Sequence, residues 1–147
     1  MPGKDQGRFR FLEHTSDAYI EAWGPNLETA FANAAAGFYE TMLNLQSVEP
    51  EREDMIDVEG HDEKELLYNW LEAMLLKFDI DGMVYSRFDI GPVSNESNVL
   101  NLQARVKGEK YDRRKHGARE EIKGVTYHQM EIQKQPGKVT VQFVLDL

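Results

Sequence analysis

Two acidic points far apart in the sequence carry residue types suited to holding a cation. Glu13-His14-Thr15-Ser16-Asp17 gathers two carboxylates, an imidazole and two hydroxyls within five residues. Asp17 can ligate a cation there, with His14 positioning a neighbouring group. The same Thr-Ser-Asp run also makes a good turn, its Asp accepting from nearby backbone, and residue types alone favour that structural reading. At the far end, Leu145-Asp146-Leu147 closes a segment that still reads as a strand. Asp146 and the α-carboxylate of Leu147 place two negative groups one residue apart. Such a pair repels itself unless a cation, Lys or Arg lies between them. A metal site and a solvated strand end account for it equally well. Cysteine is absent. Disulfides, thiolate metal sites and a Cys nucleophile are thereby excluded. Any metal must take oxygen or histidine donors, which favours hard cations such as calcium or magnesium.

A second group of candidates lies in IKGVTYH at 122–128. Lys123 and His128 fall on opposite faces of a regular strand, and a bulge would bring them round. A lone strand Lys or His is more often structural or solvent-facing than catalytic. His116 sits in a basic stretch with Tyr111 and Asp112, and His61 in a turn; neither stands out by spacing. That stretch holds Lys107, Lys110, Arg113, Arg114, Lys115, Arg119 and Lys123 within 17 positions, with four acids among them. It reads as a local basic surface or, more simply, as a solvated loop with balanced charges. There is no Walker P-loop, GxGxxG, HExxH or GxSxG signature, which argues against an ordinary NTPase or dinucleotide enzyme.

These residues have to be carried by one domain's worth of chain. The sequence has 147 residues, 41% of them apolar, with seven Phe, six Tyr and two Trp. That composition builds one sizeable core, so disorder is not expected. The net charge of −9 would repel phosphates at long range, and general nucleic-acid binding is disfavoured. The N-terminus lacks the apolar core of a secretory signal, and no apolar run approaches the roughly 20 residues that cross a bilayer. A soluble, cytoplasmic protein is expected.

Two helices are predicted. The first runs from Leu27 to about Leu45, with Leu27, Phe31, Ala34, Phe38, Met42 and Leu45 at helical spacing behind an Asn26 cap. The second runs from Glu63 to about Phe78. Asp62 and Glu65 form its capping box, Leu67, Trp70, Leu71, Met74, Leu75 and Phe78 its buried face, and Asp81-Gly82 its stop. The remainder alternates with period two, most clearly at Val99–Lys107, Val84–Ile90 and Val139–Leu147, and more weakly at Arg8–Leu12, Ala18–Trp23 and Met55–Glu59. Ile122–Gln133 is extended, but its apolar phase changes near Thr126, which predicts a bulge. The order strand, strand, helix, strand, helix, then four strands disfavours a doubly wound sheet. It predicts an α+β fold in two layers: a mostly antiparallel or mixed sheet with two main helices packed on it.

Six segments, in order and with compatible spacing, give the chain a resemblance to the archease family over almost its whole length: EHTSD at 13–17, LETAFANAA at 27–35, LLYNWLEAMLLKFDIDG at 66–82, YSRFDI at 85–90, GEKYDRRKHGAREEIKGVTYH at 108–128 and the closing LDL. The resemblance implies a single domain over 1–147. It also implies an accessory protein, not an enzyme, that activates the GTP-dependent, manganese-using RNA ligase of tRNA splicing by promoting its guanylylation and multiple turnover. Carried over by residue, it implies a metal site at Asp17, Asp146 and Leu147, the last through main-chain or α-carboxylate oxygens. It further implies an activating role for Lys123, with His14 and His128 as auxiliaries. Calcium is the expected cation, with magnesium or manganese in its place as alternatives. Contact with tRNA would be indirect, and no membrane is involved. Ser16, Ala18-Tyr19 and Gly124 depart from the family's usual residues, which leaves the metal's identity open. Two rival readings remain: a general chaperone or nucleic-acid-modulating module using the basic 107–123 stretch, and a hydrolytic metalloenzyme.

Overall fold

The computed structural model describes residues 8–12 and 16–147. In chain order the elements are β1 (Phe9–Leu12), β2 (Ala18–Gly24), α1 (Leu27–Met42), a 3-10 turn at Leu45–Ser47, β3 (Arg52–Gly60), α2 (Glu63–Asp81), β4 (Met83–Ile90), β5 (Ser94–Glu96), β6 (Val99–Lys110), α3 (Arg113–His116), β7 (Gly124–Gln135) and β8 (Lys138–Asp146). The class is α+β, as the sequence predicts. The strands, however, form two antiparallel sheets. One has the order β1-β2-β8-β7; the other has the order β3-β6-β4, with β5 also paired to β6.

The division follows from α1. The sequence shows one apolar stripe on this helix, but Ala30, Phe31, Ala34, Ala35, Ala36, Gly37, Phe38, Tyr39, Thr41 and Met42 are all buried. A helix buried nearly all round has to be enclosed, not laid on one surface. One side packs on the first sheet. A Cβ at Gly37 would lie 3.0 Å from Ile20 Cγ2 and 3.3 Å from Phe9. The other side faces the second sheet, where Tyr39 stacks on Phe88 and meets Tyr85 edge-on. Small residues from Ala34 to Gly37 permit this close double packing. Trp70 of α2 completes the enclosure by donating its indole N–H to the Phe31 carbonyl at 2.9 Å.

Local signals placed both helix starts. Asn26 accepts from the Thr29 N–H and Asp62 from the Glu65 N–H, each at 2.8 Å. The capping box is shifted by one residue, since Glu65 reaches back to the N–H of His61 at 2.6 Å. α2 runs on to Asp81, three residues past the predicted end, and Gly82 stops it at φ 66°. Only glycine takes that left-handed conformation without strain.

Gly108 marks the closest backbone approach. A Cβ there would sit 1.8 Å from the Val84 carbonyl oxygen, beside the register shift between Tyr85 and Arg87. The bulge predicted near Thr126 is present: β7 leaves register after Thr126↔Val144 and regains it at Glu131↔Gln142. No helix is long and apolar enough to cross a membrane among the described residues.

Candidate functional site

The ladder β2–β8–β7 brings together residues separated by most of the chain. Its last pair on one side is Ala18↔Leu145. Continued by one residue, the same register sets Asp17 opposite Asp146. On the other side Gly124 pairs with Asp146, and the Lys123 N–H donates to the Asp146 carbonyl at 2.7 Å. Asp17, Asp146, Leu147 and Lys123 thus share one end of the first sheet. Ala18, Ile20 and Ala22 point inward and are buried. Alternation therefore turns Asp17 and Asp146 to the outer, solvent-facing surface.

Neighbouring packing fixes this end. The Leu147 side chain packs against the core, which holds the main-chain oxygens after Asp146. Ile122 is buried and anchors the chain just before Lys123. The loop leading there is tied to the end of α1, where the Arg119 and Glu120 N–H groups donate to the Met42 and Thr41 carbonyls at 2.8 and 3.1 Å. These bonds satisfy carbonyls that a helix terminus leaves without intrahelical partners. Gly124 keeps the space beside Asp146 open, since a Cβ there would lie 3.9 Å from Asp146 Oδ2. The loop also closes a cavity of about 400 Å³ against the ends of α1 and α2, lined in part by Met42, Phe78, Tyr111 and Ile122.

Two aspartates and main-chain oxygens are hard donors, and their chemistry suits calcium, magnesium or manganese. No group of three or more His, Cys, Asp or Glu placed to hold a metal occurs among the described residues. Among the described residues, donors beyond the two aspartates would be the oxygens of Leu147. His14 lies outside the described residues, as do Glu13 and Thr15.

The other sequence candidates sit elsewhere. His128 is exposed in the β7 bulge, where its N–H donates to Thr126 Oγ1 at 3.1 Å. Four residues, 127 to 130, there oppose Phe143 alone. The bulge turns Tyr127 onto Tyr68 of α2, rings stacked at 4.4 Å, and does not bring His128 to the Asp146 end.

In the basic stretch, three of the seven cations are paired with carboxylates among the described residues. Lys115 pairs with Glu49 and Glu109, Arg119 with Glu40, and Lys107 with Glu53. Lys110, Arg113, Arg114 and Lys123 have no carboxylate within 4.0 Å among the described residues; Lys110 donates instead to the Asp81 main-chain carbonyl.

Sequence reasoning passed over His116. Its side chain is fully buried and organises the stretch. Nδ1 accepts from the Asp112 N–H at 2.9 Å, so Nε2 carries the proton and donates to Glu109 at 2.8 Å. The His116 carbonyl takes the Asn44 N–H at 2.9 Å. Burial pushes the Glu109 carboxyl up. The Glu49 N–H, the Lys115 ammonium and His116 outweigh that and hold it down at about 2. The four-residue spacing of Asp112 and His116 fits the short helix α3, but Glu109 lies on β6 and only the fold brings it to His116.

Comparison with known proteins decides the family. Residues 9–147 match the Archease protein family (MTH1598/TM1083). The chain belongs to the archease family. It is 38% identical over 140 residues to protein archease of Sulfurisphaera tokodaii, covering 95% of this chain and 99% of that protein. Protein archease of Pyrococcus abyssi is 38% identical over 141 residues, again covering 95% and 99%. The solution structure of Methanobacterium thermoautotrophicum protein 1598 superposes with a TM-score of 0.83 at 33% identity, covering 95% of this chain and 98% of that one. A crystal structure from Thermotoga maritima, described as an archease and possible chaperone, shares the fold at a TM-score of 0.59 and 19% identity, covering 92% and 94%.

Proposed function

We propose that this protein is an accessory activator of a GTP-dependent, manganese-using RNA ligase of tRNA splicing, and that it performs no catalytic turnover itself. The observation that carries the reading is the convergence of Asp17, Asp146, Leu147 and Lys123 at one sheet end, from both extremes of the sequence. In this reading Asp17 and Asp146 hold a divalent cation, calcium first, with the oxygens of Leu147 completing the set. The cation supplies a compact positive charge that carboxylates orient and phosphates recognise. Lys123, tethered through its N–H to Asp146, presents a mobile ammonium beside that charge. Together they present a bound cation and an ammonium at an exposed tip able to approach nucleotide phosphates in a partner's site, where positioning and charge compensation carry most of the catalytic effect. The acidic remainder of the chain keeps RNA contact indirect.

The neutralised lysines and Arg119 leave the basic stretch poorly suited to a general nucleic-acid role. Mixing the protein with the ligase of the same organism, GTP and manganese, and following covalent guanylylation, tests the reading. Stimulation should be lost with Asp146→Ala and largely kept when Arg113 and Arg114 are replaced by Ala. Wild-type stimulation by Asp146→Ala would sink the cation mechanism. Phosphatase or nuclease turnover with no ligase present would favour a metalloenzyme.

A further inference from the structure

The four large apolar side chains most open to solvent among the described residues are Met55, Leu76, Ile80 and Tyr127, exposed by 61%, 46%, 75% and 51%. Tyr127 is accounted for by its stack on Tyr68. The other three share one groove of about 310 Å³ with Ile56 and Ala73, between β3 and α2. On α2, Ala73, Leu76 and Ile80 recur at three- and four-residue spacing, forming a second apolar stripe distinct from the buried one. Clustered apolar exposure of this kind marks an interaction surface.

The groove runs along a strand edge. β3 pairs with β6 on one side, and no strand lies on its other side among the described residues. A nine-residue edge of this type offers main-chain groups to an incoming strand. At the far end of this edge α2 takes up a main-chain group, the Asn69 amide donating to the Glu59 carbonyl at 2.7 Å.

The charge around the groove selects the occupant. Lys77 is held by Asp81 at 3.6 Å, Arg52 by Asp54 at 3.5 Å and Lys107 by Glu53 at 3.9 Å. Among the described residues Asp57 accepts from the neutral amides of Asn101 and Gln103, at 2.8 and 3.2 Å, and forms no ion pair. Residues 52–59 hold one arginine against four acids. A second copy pairing edge to edge would set those acids against themselves, and a nucleic acid would be repelled. Glu53, Met55, Asp57 and Glu59 are exposed on the outer face, so Met55 borders the groove from the acidic side, whereas the α2 stripe flanks the inner face. An added strand would therefore meet apolar surface on one face and carboxylates on the other.

We infer that the β3–α2 groove receives an extended segment of a partner protein in which apolar residues alternate with Lys or Arg, added as a further strand on β3. The inference is independent of the ligase reading. The test uses a capped ten-residue peptide alternating valine and lysine, titrated into the full chain labelled for amide and methyl NMR. Shifts should concentrate at residues 53–58 and at Ala73, Leu76 and Ile80. Ile80→Asp and Leu76→Gln, both at exposed positions, should each weaken binding at least tenfold while leaving the thermal midpoint in place. Peptides N-methylated at alternate residues, in either phase, report on main-chain pairing, and one phase should lose binding at least tenfold. A valine–glutamate peptide should not bind. Absence of shifts, equal binding of the glutamate peptide, or unchanged affinity in both variants would overturn the inference. So would concentration-dependent self-association through the same resonances, which would make the occupant a second copy.

Discussion

Replacing Asp146 by Asn should raise the stability of the cation-free protein slightly and abolish its stabilisation by calcium. The reason is the register that sets Asp17 opposite Asp146 beyond the Ala18↔Leu145 pair. Like charges directly across antiparallel strands destabilise by a few tenths of a kcal/mol up to about 1 kcal/mol. Asn keeps the shape and removes the repulsion. A cation that binds only the folded state stabilises by RT ln(1 + [L]/Kd), about 2.7 kcal/mol at a hundredfold excess over Kd. For a chain of this size each kcal/mol moves the midpoint by about 2–4 °C, so the wild type should gain roughly 5–10 °C. The assay is urea and thermal unfolding of both proteins, in chelator and then in calcium, magnesium or manganese. At low salt the variant should be equal or slightly superior without cation and should gain nothing with it. If no cation stabilises the wild type, or if Asp146→Asn gains as much, the two aspartates do not form a site.

Three further outcomes follow from the packing. Gly108→Ala should cost about 3 kcal/mol or more in urea unfolding, above the usual range for overpacking, because the obstacle 1.8 Å away is the Val84 backbone oxygen and not a side chain; a cost under about 1 kcal/mol would show that the strands separate easily. Trp70→Phe should cost about 2–4 kcal/mol by the same measurement, combining lost volume with loss of the indole N–H bond to the Phe31 carbonyl. Glu109 has a folded pKa of about 2 against about 4.3 unfolded. Its contribution is therefore present above about pH 4.3 and lost as pH falls toward 2. Glu109→Gln should flatten the stability-versus-pH curve in that window, and an unchanged slope would contradict the His116–Lys115–Glu109 arrangement.

The structure decides how far each sequence signal reaches. Caps, stops and period-two alternation are local, and they located both helix starts, the Gly82 stop and the break after Thr126. The same locality limited the account of α1. One apolar stripe was visible, yet Ala30, Ala35, Ala36 and Tyr39 are buried as well, because a second sheet covers the helix from the other side. An alanine reads the same whether it faces a strand or water. The stripe on α2 through Leu76 and Ile80 escaped notice for the same reason.

For the candidate site, the sequence by itself determined which donor types are available: carboxylate oxygens without cysteine, at Asp17 and at Asp146, and a lysine at 123; their grouping into one site was implied only by the family resemblance. Residue type sets charge, hardness and protonation, and no fold alters those. It also determined family membership, through short segments kept in order. Only the tertiary structure decided which of these groups meet. Antiparallel register is a long-range property, and the β2–β8–β7 ladder pairs Ala18 with Leu145 and Gly124 with Asp146 at one sheet end, next to residues 17 and 123, while leaving His128 in its bulge. Burial likewise turned His116, unremarkable by spacing, into the anchor of the basic stretch, because enclosing an imidazole forces each of its nitrogens to find a partner.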